Sequence, residues 1–236
     1  MNTSSSDKTV PRDPFDLRDL AQEAGRDLEG RSAHGILEWA FGEFGERMCV
    51  TSSFADAVVV HLASQVAPGV DVVFLDTGLH FPETLRTRDL VRSTMDVTIR
   101  DIEPEQTVGG QDGEFGPRLF DRSPDECCAL RKVLPLNRAL KDYDAWATGL
   151  RRDESPTRAE TPVVGFDLNR QKVKVAPIAQ WTERDVQDYI AEHSIPVNPL
   201  ISMGFESVGC WPCTARGGGR AGRWAGLEKT ECGIHS

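Results

Sequence analysis

Two stretches near the start of the chain, Asp16–Gly30 and Ala33–Phe44, repeat apolar residues at intervals of three and four, the period of an amphipathic helix. The period then changes. Arg47–Thr51 reads as a short strand, Ser52-Ser53-Phe54 as a turn, and Ala55–Val66 as an almost wholly apolar helix. Asp71–Leu75 is continuously apolar after its first residue, as buried parallel strands are, and runs into a loop, Asp76-Thr77-Gly78. Pro82 suits a first helical position, which predicts a helix over Pro82–Thr94, and a third strand is expected over Asp96–Ile102. The Gly-rich stretch 103–122 predicts a mobile loop. Ser123-Pro124-Asp125-Glu126 has the form of a capping box, so Cys127–Lys141 should be helical. A fourth strand over Tyr143–Thr148, a hairpin or edge strands at Val163–Asp167 and Lys172–Ala176, and a helix over Glu183–His193 complete the pattern.

Strands alternating with helices imply an α/β fold: a single domain with a central, mostly parallel sheet flanked by helices. A chain of 236 residues supports one well-cored domain. Residues 1–14 are polar and read as a disordered tail, residues 15–209 as the α/β domain, and residues 210–236 as a Cys/Gly-rich segment of the same domain. No apolar run approaches a membrane span and no secretory signal is evident, so a soluble, cytoplasmic protein is expected. In a reducing cytosol the six cysteines are better read as thiolates, metal ligands or redox centres than as disulfides. Lys and Arg number 27 against 37 Asp and Glu, a net charge of −10. That balance argues against nucleic-acid binding, and an anionic substrate must find a local basic cluster.

In an open parallel sheet ligands bind at the carboxyl ends of the strands. Two corners fall there: Ser52-Ser53-Phe54-Ala55-Asp56 and Leu75-Asp76-Thr77-Gly78. Cys127-Cys128 opens a helix, and Cys210-Trp211-Pro212-Cys213 supplies a C-x2-C pair much later. These four are candidate ligands of one metal centre. A rival zinc spacing runs Cys210, Cys213, Cys232 and His235 but leaves Cys127 and Cys128 without a role. Packing as small apolar residues is a third reading. Consecutive helical side chains diverge by about 100°, which suits a bulky iron–sulfur cluster better than one compact ion. Cys49 lies within a predicted strand and reads as a buried small hydrophobe. Cys232 sits near a chain end, where a thiol on a flexible arm can enter a site, react, and swing out. Arg151, Arg152 and Arg158, then Arg216, Arg220 and Arg223, and Lys132 one helical turn after Cys128, make a credible anion funnel.

Five short segments in order resemble the assimilatory sulfonucleotide reductases, specifically the iron–sulfur class acting on adenosine 5′-phosphosulfate with thioredoxin. They are Cys127-Cys128 with Arg131-Lys132-Val133, Arg151 to Arg158, Gly209-Cys210-x2-Cys213-Thr214, Gly219 to Trp224, and Glu231-Cys232-Gly233-Ile234-His235. The resemblance implies an adenine-nucleotide hydrolase-like fold and a 4Fe-4S cluster held by Cys127, Cys128, Cys210 and Cys213. It implies Cys232 as the catalytic nucleophile, forming an S-sulfocysteine in sulfate assimilation for cysteine biosynthesis. Lys132, Arg220 and Arg223 would face sulfate and phosphate, Arg158 the nucleotide, and Ser52, Ser53, Leu75, Asp76, Thr77 and Gly78 the adenosine. Related ATP pyrophosphatases carry Ser-Gly-Gly-x-Asp-Ser, whereas Ser52-Ser53-Phe54-Ala55-Asp56-Ala57 lacks the paired glycines, which speaks against ATP cleavage. The alternatives are the 3′-phosphorylated substrate, or both substrates; a PP-loop tRNA thiolase; and a zinc-binding module. Oligomeric state is not legible.

Overall fold

The structure, a computed structural model, describes residues 10–217, 222–224, 229 and 231–235. The first helix, α1 (Pro14–Asp27), is capped by Asp13, whose carboxylate accepts from the Phe15 amide, and α2 (Ala33–Phe44) by Ser32. Strand β1 (Met48–Thr51) follows. Helix α3 (Val58–Val66) begins three residues later than the apolar run suggests. The reason is local: Phe54 takes a left-handed backbone (φ 53°), and Asp56 Oδ1 accepts from the Val58 amide at 2.9 Å, fixing the start.

Strand β2 (Val70–Leu75), helix α4 (Pro82–Thr94), with proline at its first position, and strand β3 (Val97–Ile102) lie where the pattern places them. The stretch expected as a mobile loop instead holds α5 (Val108–Phe115) and α6 (Leu119–Arg122). Val108, Phe115, Leu119 and Phe120 pack with Leu79, Cys127 and Cys210, so burial offsets the cost of ordering a Gly-rich segment. Ser123 makes no side-chain cap, contrary to the capping-box expectation, and α7 (Pro124–Cys128) starts at the proline. A π-helical turn, Ala129–Val133, separates it from α8 (Leu134–Ala139).

Strand β4 (Ala145–Ala147), the hairpin β5 (Val164–Asp167) and β6 (Lys172–Val175), α9 (Glu183–His193) and the short α10 (Pro199–Ser202) complete the framework. The six strands form one sheet in the order β3-β2-β1-β4-β6-β5, parallel except for β5. Strand β6 is interior and pairs parallel with β4. Side chains alternate between faces: Met48, Val50, Val72, Phe74, Ala145 and Ala147 enter the main core with α1, α2 and α3, whereas Cys49, Val73 and Trp146 meet Leu136 and Leu140 on the other face.

Candidate functional site

The chain leaves β1 toward β2 and β3 on one side and returns to β4 on the other. The loops after β1 and β4 therefore diverge, and a crevice opens at the carboxyl ends of the strands. It is a cavity of about 310 Å³. Ser52 and Ser53 line it after β1, Leu75 and Thr77 after β2, and Thr148, Gly149 and Arg151 after β4. Lys132, Arg158, Arg223 and the tail residues Cys232, Ile234 and His235 close the remaining walls.

Asp76 and Gly78 stand behind this wall. Asp76 Oδ1 accepts from the Gly78 amide at 3.0 Å and faces Arg88, while Gly78 abuts Arg131. Arg152 turns away to form a two-bond pair with Glu29, and Arg216 lies over Phe205, so neither lines the cavity. Arg220 lies outside the described residues.

The π-turn matters for Arg131 and Lys132, both of which it leaves buried. Arg131 donates to the Thr77 carbonyl and to Gln111 Oε1, fixing the loop after β2. Lys132 reaches the cavity. Burial opposes its charge, but the sulfurs of Cys210, Cys128 and Cys232, when ionised, outweigh that and raise its pKa above the ordinary lysine value. Arg223 donates to the carbonyls of Cys213 and Val208 and lies 4.6 Å from the Trp224 ring. Its guanidinium passes so close to Gly209 that a Cβ there would clash with it.

The sequence pairs Cys127-Cys128 and Cys210/Cys213 meet around one small pocket, with Leu79, Phe120, Arg131 and Lys132. The Trp211 amide donates to the Leu79 carbonyl at 2.8 Å and His80 bridges to Cys210, which draws the C-x2-C segment onto the loop after β2. Thr77 Oγ1 lies 3.3 Å from Cys210 Sγ. Burial first, and then the neighbouring thiols, push Cys127 up to about 12 and Cys213 up to about 11; burial also raises Cys128. With no positive charge bound among them, Cys127, Cys128 and Cys213 resist ionisation, which a cationic centre held in this pocket would relieve. Among the described residues no three His, Cys, Asp or Glu side chains converge on a single ion, and His235 stacks on Trp146 rather than joining Cys210 and Cys213.

The tail is docked. Arg158 holds Glu231 through two 3.0 Å bonds and also pairs with Glu154. Cys49 is fully buried, and burial raises its pKa well above the ordinary thiol value. Several cavity residues escaped the sequence reading. His80 donates to or accepts from nothing at its buried Nδ1 among the described residues, and Glu154, Glu183 and Glu206 supply carboxylates to the walls. Only their position beyond strand ends, known once the topology is known, could have marked them.

The fold and cavity define a class: mostly parallel α/β proteins with a crevice at the sheet's switch point lined by Lys132, Arg158, Arg223 and the Cys232 thiol. A family model described as "Phosphoadenosine phosphosulfate reductase domain" matches residues 47–216. A relative from Streptomyces coelicolor named adenosine 5′-phosphosulfate reductase is 61% identical over 93% of this chain and 95% of its own length. One of the same name from Mycobacteroides abscessus is 50% identical over 98% and 99%. The crystal structure of phosphoadenylyl-sulfate reductase from Candida auris, a phosphate complex, superposes with a TM-score of 0.72 at 25% identity, covering 88% of this chain and all of that one. The FMN adenylyltransferase of Candida glabrata shares the fold alone, with a TM-score of 0.57 at 12% identity over 88% of this chain and 76% of that one. The chain belongs to the phosphoadenosine phosphosulfate reductase domain family. Among the described residues no helix is long and apolar enough to cross a membrane.

Proposed function

We propose that the protein reduces adenosine 5′-phosphosulfate to sulfite and AMP, with Cys232 as nucleophile and a thioredoxin-type dithiol as reductant. The observation that carries this reading is the placement of Cys232 in one cavity with Lys132 and Arg223, beside the pocket of four cysteines. The Cys232 thiolate attacks the sulfur of the mixed anhydride, the bond to the phosphate oxygen breaks, and AMP departs with that electron pair. Lys132 and Arg223 hold the two anions together during this step. A thiolate of the reductant then attacks Cys232 Sγ, and sulfite leaves with the sulfur–sulfur bonding pair. The second thiol resolves the mixed disulfide and returns Cys232 as a thiol. Two thiols are oxidised, and the sulfur gains two electrons.

Cys127, Cys128, Cys210 and Cys213 would hold a 4Fe-4S cluster as thiolates, the usual complement of four. Its contribution when bound is to tie the C-terminal segment to α7 and to set the local field. Substrate choice follows from charge. Asp56, Glu154, Glu183 and Glu206 line the cavity with Ser52 and Ser53, and these carboxylates disfavour an added 3′-phosphate. The reading is tested by Cys232→Ser, which should abolish sulfite release while retaining iron and sulfide; residual turnover would refute it.

A further inference from the structure

We propose that Lys174, together with Trp146 and the Arg158–Glu231 pair, forms a clamp that seats the C-terminal tail, Lys174 being a positioning residue for Cys232. This rests on the reading of Cys232 as nucleophile. In the parallel pairing of β4 with β6, Lys174 stands directly beside Trp146. Its ammonium lies 5.2 Å from the Trp146 ring centre and donates to the His235 carbonyl at 3.1 Å. The His235 imidazole stacks on the same indole, centroids 5.8 Å apart and planes within 7°. Ile234 packs into the apolar cluster around Trp146. On the other side of Cys232, Glu231 takes both bonds from Arg158. Cys232 is thus pinned from the residue before it and the two after it.

The chain between these anchors turns at Gly233, whose φ of 81° lies in the left-handed region. A tail carrying the nucleophile must leave the cavity to meet a protein reductant and return for each new nucleotide. Its bonds must therefore be individually modest and collectively sufficient. The clamp fits: one ion pair to Arg158 in the Pro156–Arg158 turn, and, on the sheet at Lys174 and Trp146, one charge-assisted bond to a carbonyl and one stacked ring. Lys174 is not part of the cavity wall, so its effect on the reaction passes through the tail.

The experiment compares Lys174→Met, Lys174→Arg and Glu231→Gln with the unaltered protein, each prepared anaerobically with its iron content measured. Two rates are read. One is alkylation of Cys232 by iodoacetamide without nucleotide, followed by mass spectrometry of the tail peptide. The other is single-turnover transfer of the sulfo group from adenosine 5′-phosphosulfate to Cys232. Lys174→Met and Glu231→Gln should raise alkylation and lower sulfo transfer, each by roughly tenfold for the loss of about one charge-assisted bond. AMP affinity should stay within twofold, and Lys174→Arg should restore most of both rates. Unchanged alkylation in both variants would overturn the clamp; raised alkylation with unchanged transfer would overturn the positioning role. If the unaltered protein accepts no sulfo group, the functional reading fails, and alkylation still decides whether the clamp exists.

Discussion

The hydroxyl of Thr77 lies 3.3 Å from the thiol of Cys210, so the loop that ends β2 and the C-x2-C segment are joined at one buried point. Arg131 braces the same loop through the Thr77 carbonyl and Gln111. Replacing Arg131 by Met strands two buried acceptors and should destabilise the protein by about 1.5–3 kcal/mol. Urea unfolding measures this; a change under about 0.5 kcal/mol would mean that the brace is solvated.

Cys213→Ser, by contrast, leaves the backbone contacts of the segment in place but removes one thiol from the pocket. Iron and sulfide per chain, read with the visible absorption band, should fall to a small fraction of the unaltered level, whereas Cys49→Ala should leave them unchanged. Full iron retention in Cys213→Ser would remove that cysteine from the proposed ligand set.

Phe54 is fully buried, lies 5.3 Å from the Phe74 ring, and holds φ at 53°. Phe54→Ala loses the packing and keeps the strain, an expected cost of about 3–5 kcal/mol. Phe54→Gly removes the same side chain but relieves a left-handed strain of roughly 1–2 kcal/mol. Thermal unfolding should therefore rank glycine at or above alanine, the reverse of their order at an ordinary helical or extended site.

Burial raises the pKa of Asp56, with the Val58 amide and Arg151 opposing it. A raised carboxyl pKa means that the folded state binds the proton more tightly than the unfolded one. The group's contribution to stability is complete below the unfolded aspartate pKa and is lost as pH rises through the higher folded value. Asp56→Asn keeps an acceptor for the Val58 amide and carries no charge. Its melting temperature relative to the unaltered protein should climb between pH 4 and pH 7, and a flat difference would show that water reaches the carboxylate.

Much of this architecture is legible in the sequence because periodicity reports burial. The continuous apolar run ending at Leu75 and the Pro82 helix start are local facts, and both elements fall where the residues place them. Helices α5 and α6 were not legible, since their stability comes from Leu79, Cys127 and Cys210, distant residues that a Gly-rich composition does not announce. The start of α3 departs from the apolar run for a related reason: the turn at Phe54 uses a conformation common for glycine and rare for phenylalanine. The cysteines carried their chemistry in their spacing. Arg158 did not: its attachment to Glu231 depends on a docked tail that no local pattern encodes.

The central claim is that the tail thiol itself receives the sulfo group. Intact-mass and peptide mass spectrometry of the anaerobic protein, mixed with adenosine 5′-phosphosulfate and no reductant, tests it most directly. The account predicts one added sulfo group, confined to Cys232 and released as sulfite by a dithiol. An unmodified Cys232 with AMP formed, or a sulfo group on any other residue, would contradict it.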